Sequence, residues 1–166
     1  MLFRDRDEAG EMLADVLLNL RGAHPLVLGI PPGGVLVARV VADRLGAPLG
    51  ALAAGSLEGT PLTAGALSGR TVIVVDEGID TGATMQAALE KIAAAGPAHV
   101  VAAVPIAPQR HRVSRLAADL YAVVRPDPGS GIRRWYARLP DVTADEVRAA
   151  LGDATQDWAY AGATSL

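Results

Sequence analysis

The chain has 166 residues, a net charge of -3 at pH 7 and no cysteine, which fits a single domain and excludes disulfides and thiolate chemistry. No apolar run reaches the roughly 20 residues that a membrane helix needs, the start lacks the features of a signal peptide, and the charge gives no basis for a nucleic-acid surface. We therefore expect a cytoplasmic protein that has neither nucleic-acid nor membrane partners.

Apolar periodicity divides the chain into alternating helices and strands. In chain order the pattern predicts a helix over 5–20, a strand over 25–30, a helix over 35–45, a strand over 48–53 and, after a Gly-, Pro- and Thr-rich stretch, a strand over 71–76. It continues with a helix over 83–95, a strand over 99–106, a helix over 109–118, a strand over 119–124 and a helix over 143–151.

Near-continuous apolar strands that alternate with helices are typical of a parallel sheet covered on both faces. We therefore predict an α/β fold with a doubly wound sheet. Such sheets bind ligands beyond the carboxyl ends of their strands. The residues that follow each strand are thus the first place to look for a functional site.

Two adjacent carboxylates, Asp76 and Glu77, follow the run of β-branched residues that predicts the strand over 71–76. Carboxylate oxygens accept hydrogen bonds from hydroxyls and suit a magnesium shell. The next residues, GIDTGAT, can turn at their glycines and start a helix, whose free N–H groups attract an anion; Thr81 and Thr84 add hydroxyls. The pattern predicts a sugar-phosphate site.

A purely structural interpretation of this stretch also exists. Asp76 would end a strand, Thr81 would cap a helix, and the glycines would only permit the turn. The stretch is neither a Walker A loop nor a dinucleotide fingerprint, because it lacks Gly-Lys-Ser/Thr and no Gly-x-Gly-x-x-Gly follows the first strand. ATPase and dinucleotide-binding functions therefore lack their defining residues.

The run VIVVDEGIDTGATM resembles the phosphoribosyl pyrophosphate (PRPP) signature of type I phosphoribosyltransferases. The runs FRDRDEAGEMLADVL, LVLGIPPGGVLVARVVADRLGAPL and WYARLPDVTADEVRAAL are similar to an uncharacterised bacterial subgroup of predicted phosphoribosyltransferases. The resemblance implies a single phosphoribosyltransferase-like domain over 1–166. It also implies the doubly wound sheet of that family, with a small C-terminal hood.

The resemblance further implies roles for individual residues. Asp76 and Glu77 would bind the ribose hydroxyls and contact Mg²⁺ indirectly, through ribose or water. The 5-phosphate would lie against Asp80, Thr81, Gly82, Ala83 and Thr84, and the pyrophosphate against Pro32, Gly33 and Gly34. Asp80 is also the candidate catalytic residue, since it matches an acid that handles a base-ring proton in relatives that use 6-oxopurines.

The activity implied by this resemblance is Mg²⁺-assisted transfer of the phosphoribosyl group from PRPP to a nitrogenous base, with release of pyrophosphate. Asp80 favours a purine as that base. The implied partners are small molecules, namely PRPP and a nucleobase or nucleotide, together with a possible second copy of the chain. Two other hypotheses stay open: a non-catalytic sensor of PRPP or a nucleotide, and hydrolysis of PRPP or a ribonucleotide.

Two departures from the family pattern favour the sensor. The pyrophosphate turn of the subgroup usually reads Pro-Arg-Gly-Gly, but here Pro32 replaces the arginine, so a cation and a backbone donor are both missing. The stretch 55–70 is also short for a loop that closes over a reaction. Arg70 is the cation of that stretch, and we interpret it as a solvated loop end.

Two further regions could contribute to a ligand site. Arg110 and Arg112 follow the strand over 99–106, where a guanidinium could assist a phosphate, although surface solvation is the alternative. Trp135 and Tyr136 lie where the resemblance places the hood, so they could stack on a base or pack the interior of the hood.

Overall fold

The computed structural model describes residues 2–53, 56–57, 60–61, 65–113 and 116–152, with backbone alone at 53, 56–57 and 60–61. Much of the stretch expected to act as a lid, including residues 58–59 and 62–64, therefore lies outside the described residues.

Within the described residues, the α-helices are α1 (Arg6–Leu17), α2 (Gly33–Leu45), α3 (Ala83–Ala94) and α4 (Ala144–Leu151), and 3-10 helices cover Leu18–Ala23 and Arg133–Trp135. The strands are β1 (Leu26–Gly29), β2 (Leu49–Ala53), β3 (Ser56–Leu57), β4 (Thr60–Pro61), β5 (Thr71–Val75), β6 (His99–Ile106) and β7 (Asp119–Val124). None of the helices in the described part of the chain is long and apolar enough to cross a membrane.

The strands form one sheet in the order β4-β3-β2-β1-β5-β6-β7. Strands β2, β1, β5, β6 and β7 are parallel, whereas β3 and β4 form a short antiparallel extension at the β2 edge. The chain adds β2 on one side of β1 and β5 on the other, which makes the β1/β5 junction a topological switch point. Gly29 and Val75 are register partners, so the turns after β1 and β5 lie side by side.

Helices cover both faces of the sheet, as the apolar strands predict. One face packs against α3, with Leu28, Val74 and Leu89 among its buried side chains. The other face packs against α1, α2 and α4 and includes Ile73 and Val41. Side chains from alternate strand positions thus enter opposite layers, and the α/β doubly wound prediction is confirmed.

Several element ends carry the local signals that sequence patterns predict. The Asp5 side chain accepts a hydrogen bond from Glu8 N and caps α1. Thr143 and Glu146 form a reciprocal capping box at α4. Gly46 ends α2 in the left-handed conformation, with φ at 63°.

The helix predicted over 109–118 is wrong, because the described residues of this connection are not helical. Its backbone N–H groups bond elsewhere: Gln109 N donates to Pro126 O, and Arg112 N donates to Thr81 O. Val113 and Ala117 nevertheless pack against the core, as the apolar spacing indicated. Hydrogen bonds to neighbouring segments therefore replace those of a helix.

The start of the chain pairs with the segment after β7. Phe3 and Tyr136 form a parallel bridge, and their rings pack with centroids 5.4 Å apart. The backbone N–H groups of Ala137 and Arg138 donate to the carbonyls of Phe3 and Arg4. Ile132 of the same segment lies against Gly78 in the turn after β5. We call residues 126–140 the hood, and this pairing holds it beside the carboxyl edge of the sheet.

Candidate functional site

The turns after β1 and β5 touch through glycines. A Cβ on Gly33 would lie 2.7 Å from Cδ of Glu77, and a Cβ on Gly34 would lie 2.9 Å from Oδ1 of Asp76. At Gly34 the nearest atoms include the backbone of Val75 and Asp76, which leave no room for a side chain, whereas at Gly33 a side chain would displace the end of the Glu77 side chain. The structure therefore brings the pair predicted for pyrophosphate against the pair predicted for ribose.

Gly33 and Gly34 are the first residues of α2, which begins earlier than the apolar pattern indicated. The first N–H groups of a helix have no acceptor within the helix, and they carry its positive dipole end. Pro32 is the N-cap residue, has no N–H, and follows Pro31 through a cis peptide bond. Pro32 thus offers this turn neither a cation nor an N–H, and the backbone donors of the turn are the first N–H groups of α2.

The Asp76 carboxyl lies at the contact between the two turns, and its pKa is well above the ordinary value of an aspartate. Protein atoms around it desolvate the charged form and raise its pKa to about 7, and the Glu77 charge adds to this shift. A hydrogen bond from Glu77 N to Asp76 Oδ1, 2.8 Å long, works in the opposite direction. Asp76 therefore changes charge near neutral pH.

Glu77 is held by Arg6, which the sequence pattern did not single out, and by Tyr136, which it indicated only as a residue of the hood. Arg6 Nε donates to Glu77 Oε2 at 2.7 Å, and the Tyr136 hydroxyl donates to the Glu77 carbonyl at 2.7 Å. Burial raises the pKa of Tyr136, which keeps its hydroxyl a donor. Arg6 shares the buried face of α1 with Ala9 and Leu13, at helical spacing. A charged residue on an apolar face was the available signal for Arg6.

The residues predicted to bind the 5-phosphate line a cavity of about 150 Å³. Its wall consists of residues 76–85 together with Ile132 of the hood. Gly82 has φ at 94° and directly precedes α3, and the Thr81 hydroxyl accepts from Ala83 N at 3.3 Å. The start of α3 thus faces this cavity, which is about the size that a phosphate with part of a sugar needs.

Asp80 is exposed and borders two cavities. One is the 150 Å³ cavity, and the other, of about 10 Å³, separates Asp80 from hood residues 129–131. Asp80 consequently lies between the 150 Å³ cavity, which we call the phosphate cradle, and the hood. The second cavity holds about one water, so a base would have to approach from the open side.

The remaining candidate cations fall into two groups. Arg112 N bonds to Thr81 O at 3.0 Å, so the backbone of the β6–β7 connection supports the phosphate cradle, while the Arg110 and Arg112 side chains are exposed. Arg70 precedes β5 and lines, with Arg21, a cavity of about 640 Å³ at the amino-terminal edge of the sheet. Arg70 is therefore on the side of the sheet opposite the predicted site.

The described residues contain no group of three or more His, Asp or Glu side chains that could hold a metal ion. Asp76 and Glu77 nevertheless supply the oxygen donors that Mg²⁺ prefers, at the edge where ligands bind. Their arrangement fits an ion that a phosphorylated ligand brings with it and that these carboxylates contact indirectly.

The fold and the paired turns define an α/β protein whose candidate site lies at the switch point of its sheet. A sequence model of the phosphoribosyl transferase domain family matches residues 5–125. The chain belongs to this family, as the sequence resemblance predicted. It is 32% identical to proteins of two Mycobacterium tuberculosis strains that are provisionally named phosphoribosyl transferases, with 98% of this chain and 49% of those proteins covered. The chain thus spans about half the length of these relatives.

Solved structures share this fold. The protein TT1426 of Thermus thermophilus is 32% identical, with a TM-score of 0.76 over 91% of this chain and 98% of that chain. A purine phosphoribosyltransferase of Pyrococcus horikoshii is 20% identical, with a TM-score of 0.57 over 83% of this chain and 92% of that one. A Neisseria gonorrhoeae protein with bound ppGpp is 18% identical, with a TM-score of 0.61 over 97% of this chain and 96% of that one. The last two likenesses concern the fold alone.

Proposed function

We propose that the protein binds PRPP and transfers its phosphoribosyl group to a nitrogenous base, with a purine favoured, releasing pyrophosphate. The observation that carries this proposal is the contact of the Gly33–Gly34 turn with Asp76 and Glu77, beside the start of α3. Two helix N-termini and two carboxylates then meet at one edge of the sheet. PRPP carries phosphate groups at both ends of a sugar with two hydroxyls, and it is complementary to that arrangement.

In this proposal each part of the ligand has its own partners. The 5-phosphate accepts hydrogen bonds at residues 80–84, and the ribose hydroxyls donate to Asp76 and Glu77. The pyrophosphate lies against Pro32, Gly33 and Gly34, where the α2 dipole is favourable for it. Mg²⁺ bound with PRPP would neutralise part of the charge that develops on the leaving group, a contribution that gains weight because Pro32 supplies no cation.

The proposed role of Asp80 is to accept or share a proton of the attacking base. Its exposed position between the phosphate cradle and the hood supports this role, because a base joined to C1 of the ribose has to lie on the hood side of the sugar. A positioned carboxylate can supply general base catalysis within hydrogen-bond reach of the proton.

Pyrophosphate release tests the enzymatic proposal. We expect the full chain, mixed with PRPP, Mg²⁺ and each of a panel of purine and pyrimidine bases, to release pyrophosphate only with an accepted base. Asp80→Asn should lower that rate on the order of a hundred-fold, within the range of a lost general base. If none of the bases gives pyrophosphate release, even at high protein concentration, the transferase proposal is overturned.

Pro32 favours a second candidate, a sensor that binds PRPP or a nucleotide without turnover. Calorimetric titration of PRPP with Mg²⁺ beside ribose 5-phosphate tests the pyrophosphate subsite, since the ligands differ only in the pyrophosphate. Much tighter binding of PRPP would mean that this subsite works despite Pro32 and would justify the panel of bases, whereas equal affinities support the sensor. The nucleotide ppGpp belongs in the same titration, because the Neisseria protein of this fold binds it.

Thr84 gives a direct test of the 5-phosphate assignment. Thr84→Val should weaken ribose 5-phosphate binding about five-fold, as expected for one lost hydrogen bond of about 1 kcal/mol, and should leave the melting temperature nearly unchanged because Thr84 is exposed. Thr71→Val is the matched control, since Thr71 lies at the opposite edge of the sheet. Unchanged affinity in Thr84→Val would remove Thr84 from the site.

A further inference from the structure

Arg6 joins three separate parts of the molecule through one side chain. It projects from the first turn of α1, donates from Nε to Glu77 Oε2 at 2.7 Å, and donates from a terminal nitrogen to Pro140 O at 2.8 Å. The side chain of Arg6 is 9% exposed, whereas that of Glu77 is 26% exposed. Arg6 is therefore shielded from solvent, whereas the Glu77 carboxylate is accessible from the side on which the proposed ligand would bind.

Packing of the hydrophobic core does not require a charged side chain at the position of Arg6. Among the described residues, Arg6 is the only polar or charged residue in the buried class. An apolar side chain would complete the buried face of α1 without the desolvation cost of a charge, and buried ion pairs are weak evidence for a gain in stability. The burial of a cation at this position points to a role in fixing its partner.

Glu77 would be poorly placed without that cation. Its carboxylate packs so closely on Gly33 that a Cβ there would overlap it, and it is adjacent to Asp76 in the chain. Both carboxyls lie against the same turn, because a Cβ on Gly33 would meet Glu77 and a Cβ on Gly34 would meet Asp76. Without Arg6, the Glu77 carboxylate would lose the cation that holds it at this turn, and rotamers that turn it out to solvent would be favoured.

We infer that Arg6 is a positioning residue for sugar recognition: it holds the Glu77 carboxylate where it accepts hydrogen bonds from the ribose hydroxyls, and it links that position to the hood through Pro140. The inference rests on the proposed binding of a ribose phosphate. Arg6 acts through Glu77 and does not itself touch the ligand. Affinity for ribose 5-phosphate and for PRPP should therefore fall together when Arg6 is changed.

The test compares ribose 5-phosphate with 2-deoxyribose 5-phosphate by calorimetry on the full chain. Arg6→Met keeps most of the apolar volume, and we expect it to weaken ribose 5-phosphate binding on the order of ten-fold, by analogy with residues that support metal ligands. The deoxy sugar should lose less, so discrimination between the two sugars shrinks. Arg6→Lys should restore part of it, because the ammonium keeps the charge but not the fork of donors.

Arg4→Met is the matched control, because Arg4 lies on the exposed side of the same helix start and pairs with Asp5. It should bind both sugars as the wild type does. A double variant then shows whether Arg6 works through its partner: Arg6→Met added to Glu77→Ala should cause no further loss of ribose 5-phosphate affinity. An additional ten-fold loss in that background would overturn the inference.

The remaining outcomes are distinguishable. If wild-type protein binds ribose 5-phosphate and Arg6→Met binds it equally well, the positioning role is wrong and the proposed function stands. If Arg6→Met loses affinity for PRPP alone, Arg6 contacts the pyrophosphate directly, which also contradicts the inference. If the wild type binds neither sugar phosphate nor PRPP, the proposed function fails and the inference fails with it.

Discussion

Gly34→Ala should lower the free energy of unfolding by about 1–3 kcal/mol, the usual cost of overpacking, and should abolish measurable PRPP binding. The new Cβ would lie 2.9 Å from the Val75 carbonyl oxygen and 3.0 Å from Cα of Asp76. Both are backbone atoms at the end of a central strand, so they cannot rotate away as a side chain would. The turn has to move instead, and the first N–H groups of α2 move with it.

Gly22→Ala is the control for this variant, because a Cβ there meets nothing within 4 Å and Gly22 has no positive φ. We expect its urea unfolding midpoint to match that of the wild type or to exceed it slightly. Equal midpoints and equal PRPP affinities for Gly34→Ala and the wild type would show that the two turns are not in close contact in solution.

Asp76→Asn should flatten the dependence of stability on pH. The folded protein keeps the Asp76 proton up to a pKa of about 7, whereas the unfolded chain releases it near the ordinary value of 3.8. Between these values the folded state binds more protons, so wild-type stability falls as pH rises, by up to about 1.4 kcal/mol per pH unit from this group. The asparagine lacks this contribution and should make the protein more stable than the wild type above pH 7.

Urea midpoints of the wild type and Asp76→Asn at pH 5 and pH 8 measure this effect, since all other carboxyls contribute equally to both proteins. Asp141→Asn changes a fully exposed carboxyl and should keep the wild-type slope of stability against pH.

Asp76 should also affect binding: wild-type affinity for ribose 5-phosphate should fall more steeply below pH 7 than that of Asp76→Asn. If the pH profiles of the wild type and Asp76→Asn run parallel, both for stability and for affinity, a raised pKa at Asp76 is contradicted.

Most of the fold could be predicted from local sequence. Strands β5 and β6 are continuous apolar runs, and the ends of α1, α2 and α4 carry the capping residues Asp5, Gly46 and Thr143. The meeting of the two glycine-containing turns was also predictable in outline, because parallel strands present their carboxyl ends at one edge. The strands and helix ends depend on residues close together in the chain, whereas the meeting of the turns follows from the parallel arrangement of the strands.

The contacts around Glu77 could not be predicted in this way. Arg6 is 71 residues away from Glu77 and Tyr136 is 59 residues away, so their pairing is decided by tertiary packing alone. The wrong helix over 109–118 has the same origin: its apolar spacing is real, but Thr81 O and Pro126 O take backbone N–H groups that a helix would need. In both cases the structure depends on hydrogen bonds between residues far apart in the chain, and local periodicity does not reveal such bonds.

The hood has a consequence for the specificity of such a protein. The family match ends at residue 125, whereas Ile132, Tyr136 and Pro140, which contact Gly78, Glu77 and Arg6, come after it. Residues 5–125 thus supply the sheet and the turns after β1 and β5, and the hood reaches those turns from outside that stretch. Under the proposed function, we expect substitutions at exposed hood positions to alter which nucleobase is accepted while the two turns stay in place.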